Sequence, residues 1–319
     1  MKQIYTYGTY LKDKFNCKVY KVGINISGFT CPNIDGTVAK GGCTFCENDS
    51  FSASTGKTQE LKSFHLNLSS KQNPYLAKQL EQLELQFKAI SSRQQKEYGA
   101  EKFLVYFQSF TNTYAPFETL KALYDKALSF THVVGLSIGT RSDSITQETL
   151  EYLSFLSKEK EIWIEFGIQS IYDETLLRIN RGHDSANVKK WILKSKEAGL
   201  NVCGHLIFGL PGETKEMMLE TAKEAYNWGI DSVKYHPLYV VKKTALANDF
   251  TKGIFTPISE QDYLNVLTQA IQIKPKNVHV QRVTAGINND SLLGPAWCRD
   301  KNLQIKNINQ ALKSIGLKY

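Results

Sequence analysis

Short apolar runs alternate with longer amphipathic segments along the chain after residue 100. Each run is rich in branched or aromatic side chains and is bounded by polar residues or glycine, which is typical of a buried β-strand. The runs predict strands at 102–108, 132–138, 161–168, 201–208 and 231–236, with an earlier strand at 20–26 and a candidate seventh at 277–281. Apolar residues at helical spacing predict helices from Pro116 to 128 and at 146–157, 184–198 and 214–228.

Strands separated by helices in this way predict parallel βα units. Six units fall short of the eight in a closed barrel, so we expect an α/β fold of the partial (βα)6 barrel type. Two stretches depart from the alternation: an irregular loop at 27–69 that ends in a Ser/Thr/Lys-rich section, and an amphipathic Gln/Lys-rich helix at 74–98. Without repeats or linkers, we expect one domain over 1–319, with a core at about 20–285 and a C-terminal extension at 286–319.

Composition changes this picture little. A hydrophobic content of 42% and a charged content of 22% are ordinary for a soluble globular protein. No apolar run approaches the roughly 20 residues of a membrane helix, and the first twenty residues lack the apolar core of a signal peptide, so we expect a cytoplasmic protein without a membrane partner. The net charge of +8 suits a polyanionic partner such as RNA, although many cytosolic enzymes are equally basic. The oligomeric state stays open.

Cysteine placement is the strongest chemical signal. Cys31, Cys43 and Cys46 lie in a loop at 27–50 after the first predicted strand, with eleven residues in the first gap and two in the second. Three thiolates would leave one iron of a [4Fe-4S] cluster open to an external ligand. Zinc with Cys17 as a fourth ligand is an alternative, although zinc sites usually show two close pairs. A further alternative is that the three thiols bind no metal.

Phe45, directly before the last of these cysteines, adds a second feature. The loop resembles the cluster motif of radical S-adenosylmethionine (SAM) enzymes, whose common form is CxxxCxxC with an aromatic residue before the final cysteine. Its longer first gap is similar to the extended gap in the catalytic subunit of Elongator and in a group of small bacterial radical SAM proteins.

Three later segments show the same resemblance. WIEFGIQSIYDETLLRINRGHD (163–184) is similar to the fourth-strand segment of the Elongator catalytic subunit, GLSIGTRSD (135–143) to its third-strand end, and GHLIFGLPGET (204–214) to its fifth. The chain is identified as a member of the radical SAM superfamily over about 20–285. Two departures limit what carries over. We expect no acetyltransferase domain before the chain ends at Tyr319, and QSFTNTYAP replaces the usual Gly-Gly-Glu stretch after the second strand.

The resemblance implies a cluster held by Cys31, Cys43 and Cys46, with SAM chelating the remaining iron and cleaved by an electron from the cluster. The residues implied to contact SAM are Gln108, Ser109, Thr111, Asn112, Arg141, Glu165, Gln169, Arg181, Gly209 and Gln281. Each has a structural alternative. Glu165 would otherwise form an internal salt bridge, the two arginines would form ion pairs, and Gly209 would serve a plain strand-to-helix turn.

No catalytic residue can be assigned from the sequence, but three candidates stand out. Tyr235 and His236, with Lys234, end the sixth strand, and we expect them to face the barrel mouth, as Gln281 and Arg282 would later in the chain. Cys298 lies beside Trp297 and Arg299 and is a candidate substrate-facing thiol. Cys203 is expected to be a buried apolar residue, and Cys17 has no assigned role.

Three functions follow from these observations. The first is a radical SAM enzyme that acts on RNA, specifically a transfer RNA base near the wobble position, with a reductant such as flavodoxin or ferredoxin. The second is a radical SAM enzyme with a small, tetrapyrrole-like substrate. The third is a non-catalytic RNA-binding protein that carries zinc or a cluster. A basic concave face beside the mouth would favour the first, and a closed apolar pocket the second.

Overall fold

A curved sheet of seven parallel strands organises the protein in a computed structural model that describes residues 1–47 and 64–319. The strands, in chain order, are β1 (Lys2–Gln3), β2 (Val19–Ile24), β3 (Lys102–Phe107), β4 (Val133–Thr140), β5 (Glu161–Gln169), β6 (Asn201–Phe208), β7 (Ser232–Pro237), β8 (Val240–Val241), β9 (His279–Arg282), β10 (Leu292–Gly294) and β11 (Leu317–Lys318). The curved sheet has the order β2-β3-β4-β5-β6-β7-β9, and two small sheets pair β1 with β11 and β8 with β10. The predicted partial barrel with a seventh strand is confirmed.

Helices surround this sheet, and most of them cover its outer face. In chain order they are α1 (Tyr7–Phe15), α2 (Leu76–Tyr98), α3 (Phe117–Leu128), α4 (Gln147–Ser157), α5 (Asp173–Arg178), α6 (Ser185–Glu197), α7 (Lys215–Asn227), α8 (Ala245–Thr251), α9 (Glu260–Ile273) and α10 (Lys301–Ser314). Side chains cap several of their first turns. Thr146, Asp184 and Thr214 each accept a hydrogen bond from the main-chain N–H three residues further on, which satisfies a donor that the helix leaves free.

Side chains alternate between the two faces of each strand, and this alternation divides the core. Outward side chains such as Val22, Leu136 and Val202 pack under the helices in the largest apolar cluster. Inward side chains form a smaller cluster of Leu104, Trp163 and Cys203. The buried Cys203 thus behaves as the apolar residue that the sequence predicts.

Helix α1 closes the amino end of the barrel. Its Tyr7 and Leu11 are buried against the inward cluster, and the Tyr7 ring meets Trp163 edge-on at 4.9 Å. Tyr10 Oη donates to Glu161 Oε1 at 2.7 Å, which ties the outer side of the helix to β5. The sequence pattern did not indicate this helix.

The long segment between β2 and β3 differs from its prediction. The amphipathic helix predicted at 74–98 exists as α2, but it does not depart from the alternation: it is the crossover between the parallel strands β2 and β3. The Ser/Thr/Lys-rich section lies partly at 48–63, outside the described residues. No helix within 1–47 or 64–319 combines the length and apolar character needed to cross a membrane.

Candidate active site

A cavity of about 230 Å³ lies at the carboxyl ends of the parallel strands. This is the edge where barrels of parallel strands carry their chemistry. Cys31, Cys43 and Cys46 line it, and so do His205 and His236 from the ends of β6 and β7. The remaining lining residues are Ile34, Gly42, Phe45, Tyr106, Gln108, Ser109, Phe110, Thr111, Gly139, Thr140, Arg141, Glu165, Gly167, Gln169, Arg181, Ile207, Pro237, Leu238, Tyr239, Arg282 and Ala285.

The cysteine loop is folded by its own main chain. The Cys31 carbonyl accepts hydrogen bonds from the N–H groups of Ile34 and Asp35, at 2.7 and 3.1 Å. The Cys46 N–H donates to the Cys43 carbonyl at 2.9 Å, so the two-residue gap forms a tight turn. The long first gap therefore turns back on itself and brings all three thiols to one wall of the cavity.

Polar side chains fasten this loop to the segment after α5. The Asn33 amide donates to the carbonyls of Asn180 and Arg181, at 2.6 and 2.9 Å, and approaches Cys43 Sγ at 3.6 Å. The Arg181 guanidinium also donates toward Cys43 Sγ, at 3.8 Å. Two donors thus face this sulfur, as expected for a ligand that carries negative charge.

Burial, with the neighbouring Cys43 and Cys31, raises the pKa of Cys46 to about 12. A thiol in such surroundings becomes a metal ligand when a cation offsets the desolvation of the thiolate. The donor set of three thiols matches the chemistry of an iron–sulfur cluster.

Unpartnered polar atoms of residues that line the same cavity point to a polar ligand in it. Ser109 Oγ, Arg141 Nη1 and Gln169 Oε1 are buried and make no hydrogen bond to any residue within 1–47 or 64–319. Such groups normally have a partner, because a buried unpaired polar atom costs about 1–3 kcal/mol. The residues present therefore fit a cluster with a polar cofactor bound next to it.

Three of the residues that the sequence predicts to contact the cofactor do not line this cavity. The Asn112 side-chain amide binds the main chain, since it donates to the carbonyls of Phe107 and Gly139 at 3.0 and 2.9 Å. Gly209 lies in the turn after β6 and lines a separate outer cleft. Gln281 accepts from Lys21 Nζ at 2.8 Å and donates to Ser232 Oγ, inside the barrel below the cavity.

Glu165 lies fully buried at the floor of the cavity. One carboxylate oxygen accepts from Lys21 Nζ and Ser137 Oγ, each at 2.5 Å. The other accepts from Lys234 and His205. Burial opposes ionisation, but the two ammonium groups outweigh it and hold the pKa of Glu165 well below its usual range. The salt-bridge alternative is thus the observed arrangement, and both oxygens are occupied by the protein.

Two of the three candidate catalytic residues do not face the cavity. Tyr235 projects outward into the helix layer, where its hydroxyl pairs with that of Tyr226, because neighbours on a strand point to opposite faces. The expectation that Tyr235 faces the mouth is therefore wrong. Cys298 is fully buried against Tyr239 and Leu292, and burial raises its pKa to about 12, so it is not a substrate-facing thiol. His236 does line the cavity.

Cys17 cannot complete a metal site with the loop cysteines. It precedes β2, whereas the loop follows that strand. A six-residue strand is roughly 20 Å long, so Cys17 lies at the opposite end of the barrel. Zinc held by these four residues is excluded.

Family models match almost the whole described core. The model described as "Radical SAM superfamily" matches residues 35–225, and the one described as "Radical_SAM C-terminal domain" matches 230–314. The chain belongs to the radical SAM superfamily. Members of this superfamily are enzymes that use a [4Fe-4S] cluster and SAM, so this chain is a radical SAM enzyme with these two cofactors.

Relatives of two kinds are similar to this radical SAM enzyme. Uncharacterized protein YtqA of Bacillus subtilis is 33% identical over 315 residues, which cover 99% of this chain and 91% of YtqA. Uncharacterized protein MJ0486 of Methanocaldococcus jannaschii is 35% identical over 314 residues, 98% of this chain and 90% of that protein. The tRNA uridine(34) acetyltransferase of Methanocaldococcus infernus is 32% identical over 157 residues, which cover 48% of this chain and 29% of that protein.

A solved structure agrees with the fold. The archaeal Elp3 of Methanocaldococcus infernus superposes with a TM-score of 0.63 at 21% identity, over 94% of this chain and 64% of Elp3. At this identity the likeness concerns the fold alone. The Elongator-like resemblance of the sequence is confirmed by Elongator complex protein 3 of Saccharomyces cerevisiae, which is 26% identical over 234 residues, 70% of this chain and 41% of that protein.

Sequence reasoning missed several residues that build the site. Asn33 and Asn180 fix the cysteine loop, and Lys21 and His205 surround Glu165. Only Lys21 carried a signal, since a lysine inside the apolar run YKVGINI needs a buried partner. The other three depend on contacts between distant segments.

Proposed function

We propose that this radical SAM enzyme modifies a base in RNA, with a transfer RNA as its substrate. The observation that carries the proposal is the similarity, over 157 residues, to the tRNA uridine(34) acetyltransferase of Methanocaldococcus infernus. The shared part is a radical SAM core in this chain, so the common feature would be the radical step on a tRNA base rather than acetyl transfer.

Exposed lysines around the cavity support a nucleic-acid substrate. Lys40 lies on the cysteine loop, and Lys242 and Lys243 follow the carboxyl end of β7 and the short β8. All three are exposed and form no ion pair with a residue of the described ranges. Free ammonium groups beside a catalytic mouth are suited to phosphate contacts, and the net charge of +8 adds long-range attraction.

The protein's own residues have separable roles in this reaction. Cys31, Cys43 and Cys46 would hold the cluster, and Asn33 and Arg181 would stabilise the charge on the Cys43 sulfur. When bound, the cluster and SAM supply the one-electron cleavage that begins the family's radical reactions.

Hydrogen bonds hold the Arg141 guanidinium in an orientation that suits the binding of a carboxylate. Its Nε and Nη2 donate to the Asp143 carboxylate at 2.9 and 2.6 Å, and Nη2 also donates to the Arg181 carbonyl at 2.7 Å. These bonds fix the guanidinium plane and leave Nη1 buried without a partner at the cavity. A guanidinium fixed in this way suits the carboxylate of SAM, and its immobility would orient that cofactor before reaction.

The cavity is open at the mouth, and its lining mixes charged and apolar groups. Its open mouth, rather than its polarity, distinguishes it from the closed apolar pocket that a tetrapyrrole-like substrate would favour. An open mouth accommodates a nucleotide that stays attached to a larger RNA.

The test is anaerobic reconstitution of the cluster, followed by an assay for 5′-deoxyadenosine with SAM, a strong reductant and a pool of unmodified tRNA transcripts. We expect tRNA to stimulate SAM cleavage several-fold and a nucleoside of altered mass to appear in the digested tRNA. The same tRNA with a Cys31→Ala variant controls for cleavage without a cluster. Equal cleavage with and without tRNA, and an unchanged nucleoside profile, would refute the RNA substrate.

A further inference from the structure

Positive charge is concentrated in the last part of the chain. Residues 274–319, which follow α9, contain eight Lys and Arg side chains and two Asp side chains, a net charge of +6 out of +8 for the whole chain. None of the eight forms an ion pair with a residue of 1–47 or 64–319. The charge of this segment is therefore available to an anionic partner.

Helix α10 carries part of this charge on its outer face. Its inner side is buried, as at Ile308 and Leu312. Lys306 and Lys313 are exposed on the opposite side. Seven residues separate them, which is close to two helical turns, so they lie on the same face with their Cα atoms about 10 Å apart. Residues 301–319 contain no Asp or Glu, so no carboxylate on this segment opposes the two charges.

The outer face of α10 begins beside the cavity. Arg282, at the end of β9, lines the cavity. Partial burial, with the charge of Arg282, lowers the pKa of Lys301, so the first residue of α10 lies close to this arginine. The helix leads to β11, which pairs with β1 ahead of α1. Its 14 residues span about 21 Å, so the face extends from the cavity mouth toward the closed amino end of the barrel.

The chemistry of this face suits a polyanion better than an apolar partner. Leu303 is the one large apolar side chain exposed on α10, every residue of which the structure describes. A helix that lies on a membrane presents a stripe of apolar residues, and a protein interface has an apolar core. Asn302 and Gln310 are also exposed on α10, and side-chain amides commonly bind phosphate and sugar oxygens. The face therefore matches a sugar–phosphate backbone.

We propose that the outer face of α10 binds the sugar–phosphate backbone of the RNA, and that Lys301 and Arg282 continue this contact to the cavity. The inference rests on the proposed function and deepens it by assigning the surface that holds the RNA. A nucleotide in the cavity stays attached to its neighbours, whose phosphates need a path away from the mouth. Phosphate contacts fix position and carry no sequence information, so α10 supplies affinity and orientation, and the choice of base is left to the cavity.

Binding of unmodified tRNA transcripts at several salt concentrations tests this surface. Each phosphate contact contributes roughly 0.7–0.9 to the slope of log association constant against log salt concentration. The double variant Lys306→Gln with Lys313→Gln should therefore reduce the magnitude of the slope by about 1.5–2 and weaken binding about tenfold at roughly 100 mM salt. Fluorescence anisotropy of labelled tRNA, with the full chain, measures both quantities.

A matched control removes the same charge from another helix. Lys189 and Lys190 are exposed on α6, which packs on β5 and β6, and neither forms an ion pair within the described ranges. Lys189→Gln with Lys190→Gln should keep the slope of the wild type. SAM cleavage without RNA should be equal in all three proteins, since neither pair of lysines lines the cavity. An unchanged slope in the α10 variant, or an equal reduction in both double variants, would overturn the proposal.

Vesicles of anionic phospholipid are a second probe, because a membrane surface is also polyanionic. They should bind the wild type and the α10 variant equally. If the α10 variant loses vesicle binding and keeps its affinity for tRNA, the face contacts a membrane and the proposal is wrong.

The outcomes separate this inference from the proposed function. If tRNA stimulates SAM cleavage but the α10 variant binds tRNA as the wild type does, the surface is wrong and the RNA function stands. If the α10 variant alone loses affinity for tRNA, but tRNA neither stimulates cleavage nor is modified, the surface stands and the RNA function is wrong.

Discussion

Asn33 and Asn180 each hold the main chain of the other's segment. The Asn33 amide donates to the Asn180 carbonyl at 2.6 Å, and the Asn180 amide donates to the carbonyls of Gly42 and Lys40, at 2.8 and 3.0 Å. These bonds join the cysteine loop to the segment after α5, 147 residues further along the chain. The position of the thiols therefore depends on a contact that neither segment forms alone.

The first prediction concerns this pair. Asn180 has a φ of 54°, a left-handed conformation that Asn tolerates and Gly adopts freely. Asn180→Gly removes the amide alone and should cost about 1–3 kcal/mol of unfolding free energy. Asn180→Ala adds backbone strain and should be less stable still. Both should lose iron faster to a chelator than the wild type, as measured by cluster absorbance, with stability from urea unfolding.

Asn16 provides the matched control, because it has a φ of 51° and lies at the opposite end of the barrel, after α1. Asn16→Ala should reduce stability and leave iron retention unchanged. If Asn180→Gly retains iron as well as the wild type, the two asparagines do not control the loop.

The second prediction concerns the cluster ligands. Replacing Cys31, Cys43 or Cys46 by Ala should abolish iron binding and SAM cleavage, because all three line the thiol wall. Cys17→Ala should keep both, since Cys17 lies on the far side of β2. Iron and sulfide analysis after anaerobic reconstitution measures the outcome. Loss of metal in Cys17→Ala would contradict the placement of the site.

The third prediction concerns the carboxylate at the cavity floor. Glu165→Gln leaves Lys21 and Lys234 buried without their counter-charge, which should cost about 3–5 kcal/mol. Because the pKa of Glu165 is held well below 4.5 in the folded state, its contribution is present at neutral pH and is lost as the pH falls through the folded value. The unfolding free energy of the wild type should therefore fall more steeply in acid than that of Glu165→Gln, as urea titrations at several pH values would show. Parallel acid profiles would contradict this.

A fourth prediction concerns alkaline pH. Burial, only partly offset by Glu165, lowers the pKa of Lys21 from 10.5 to about 8. Between these values the unfolded chain binds more protons than the folded one, so the contribution of Lys21 to stability rises with pH. The stability difference between wild type and Lys21→Met should shift in favour of the wild type from pH 8 to 10. A constant difference would show that Lys21 keeps its ordinary pKa.

The fifth prediction uses a glycine at the cavity. A Cβ at Gly167 would lie 2.6 Å from Gln169 Nε2 and 2.7 Å from Arg181 Nη2. Gly167→Ala should displace the Arg181 side chain, which donates to the Gly167 carbonyl. The KM for SAM should then rise roughly tenfold, as expected for the loss of a charged hydrogen bond. Gly8→Ala adds a methyl group without close contact and should not change this KM. An unchanged KM in Gly167→Ala would remove Arg181 from SAM binding.

The strands and most helices could be predicted from the sequence because their signals are local. Apolar runs at period two and stripes at helical spacing persist over whole elements, and the succession of βα units dictates a parallel sheet. Helix α1 escaped prediction because only Tyr7 and Leu11 are buried, and they pack inside the barrel rather than under the helix layer.

The site was predictable in its chemistry and less so in its geometry. The spacing of the three cysteines pointed to a cluster loop, and the structure brings their thiols to one wall. Tyr235 was misplaced because strand alternation separates it from Lys234 and His236, a rule that the sequence alone could have supplied. The burial of Cys298 depends on Tyr239 and Ala285, which other parts of the chain bring to it.

Closure of the barrel by α1 has a kinetic consequence. Tyr7, Leu11 and Trp163 pack together at the amino end of the barrel. A ligand therefore reaches Glu165 and the groups around it from the mouth. Two ligands that share a single entrance cannot exchange independently, since the one that lies deeper arrives first and leaves last. The enzyme should therefore follow a compulsory order of addition, which product-inhibition patterns would display as a fixed sequence rather than a random one.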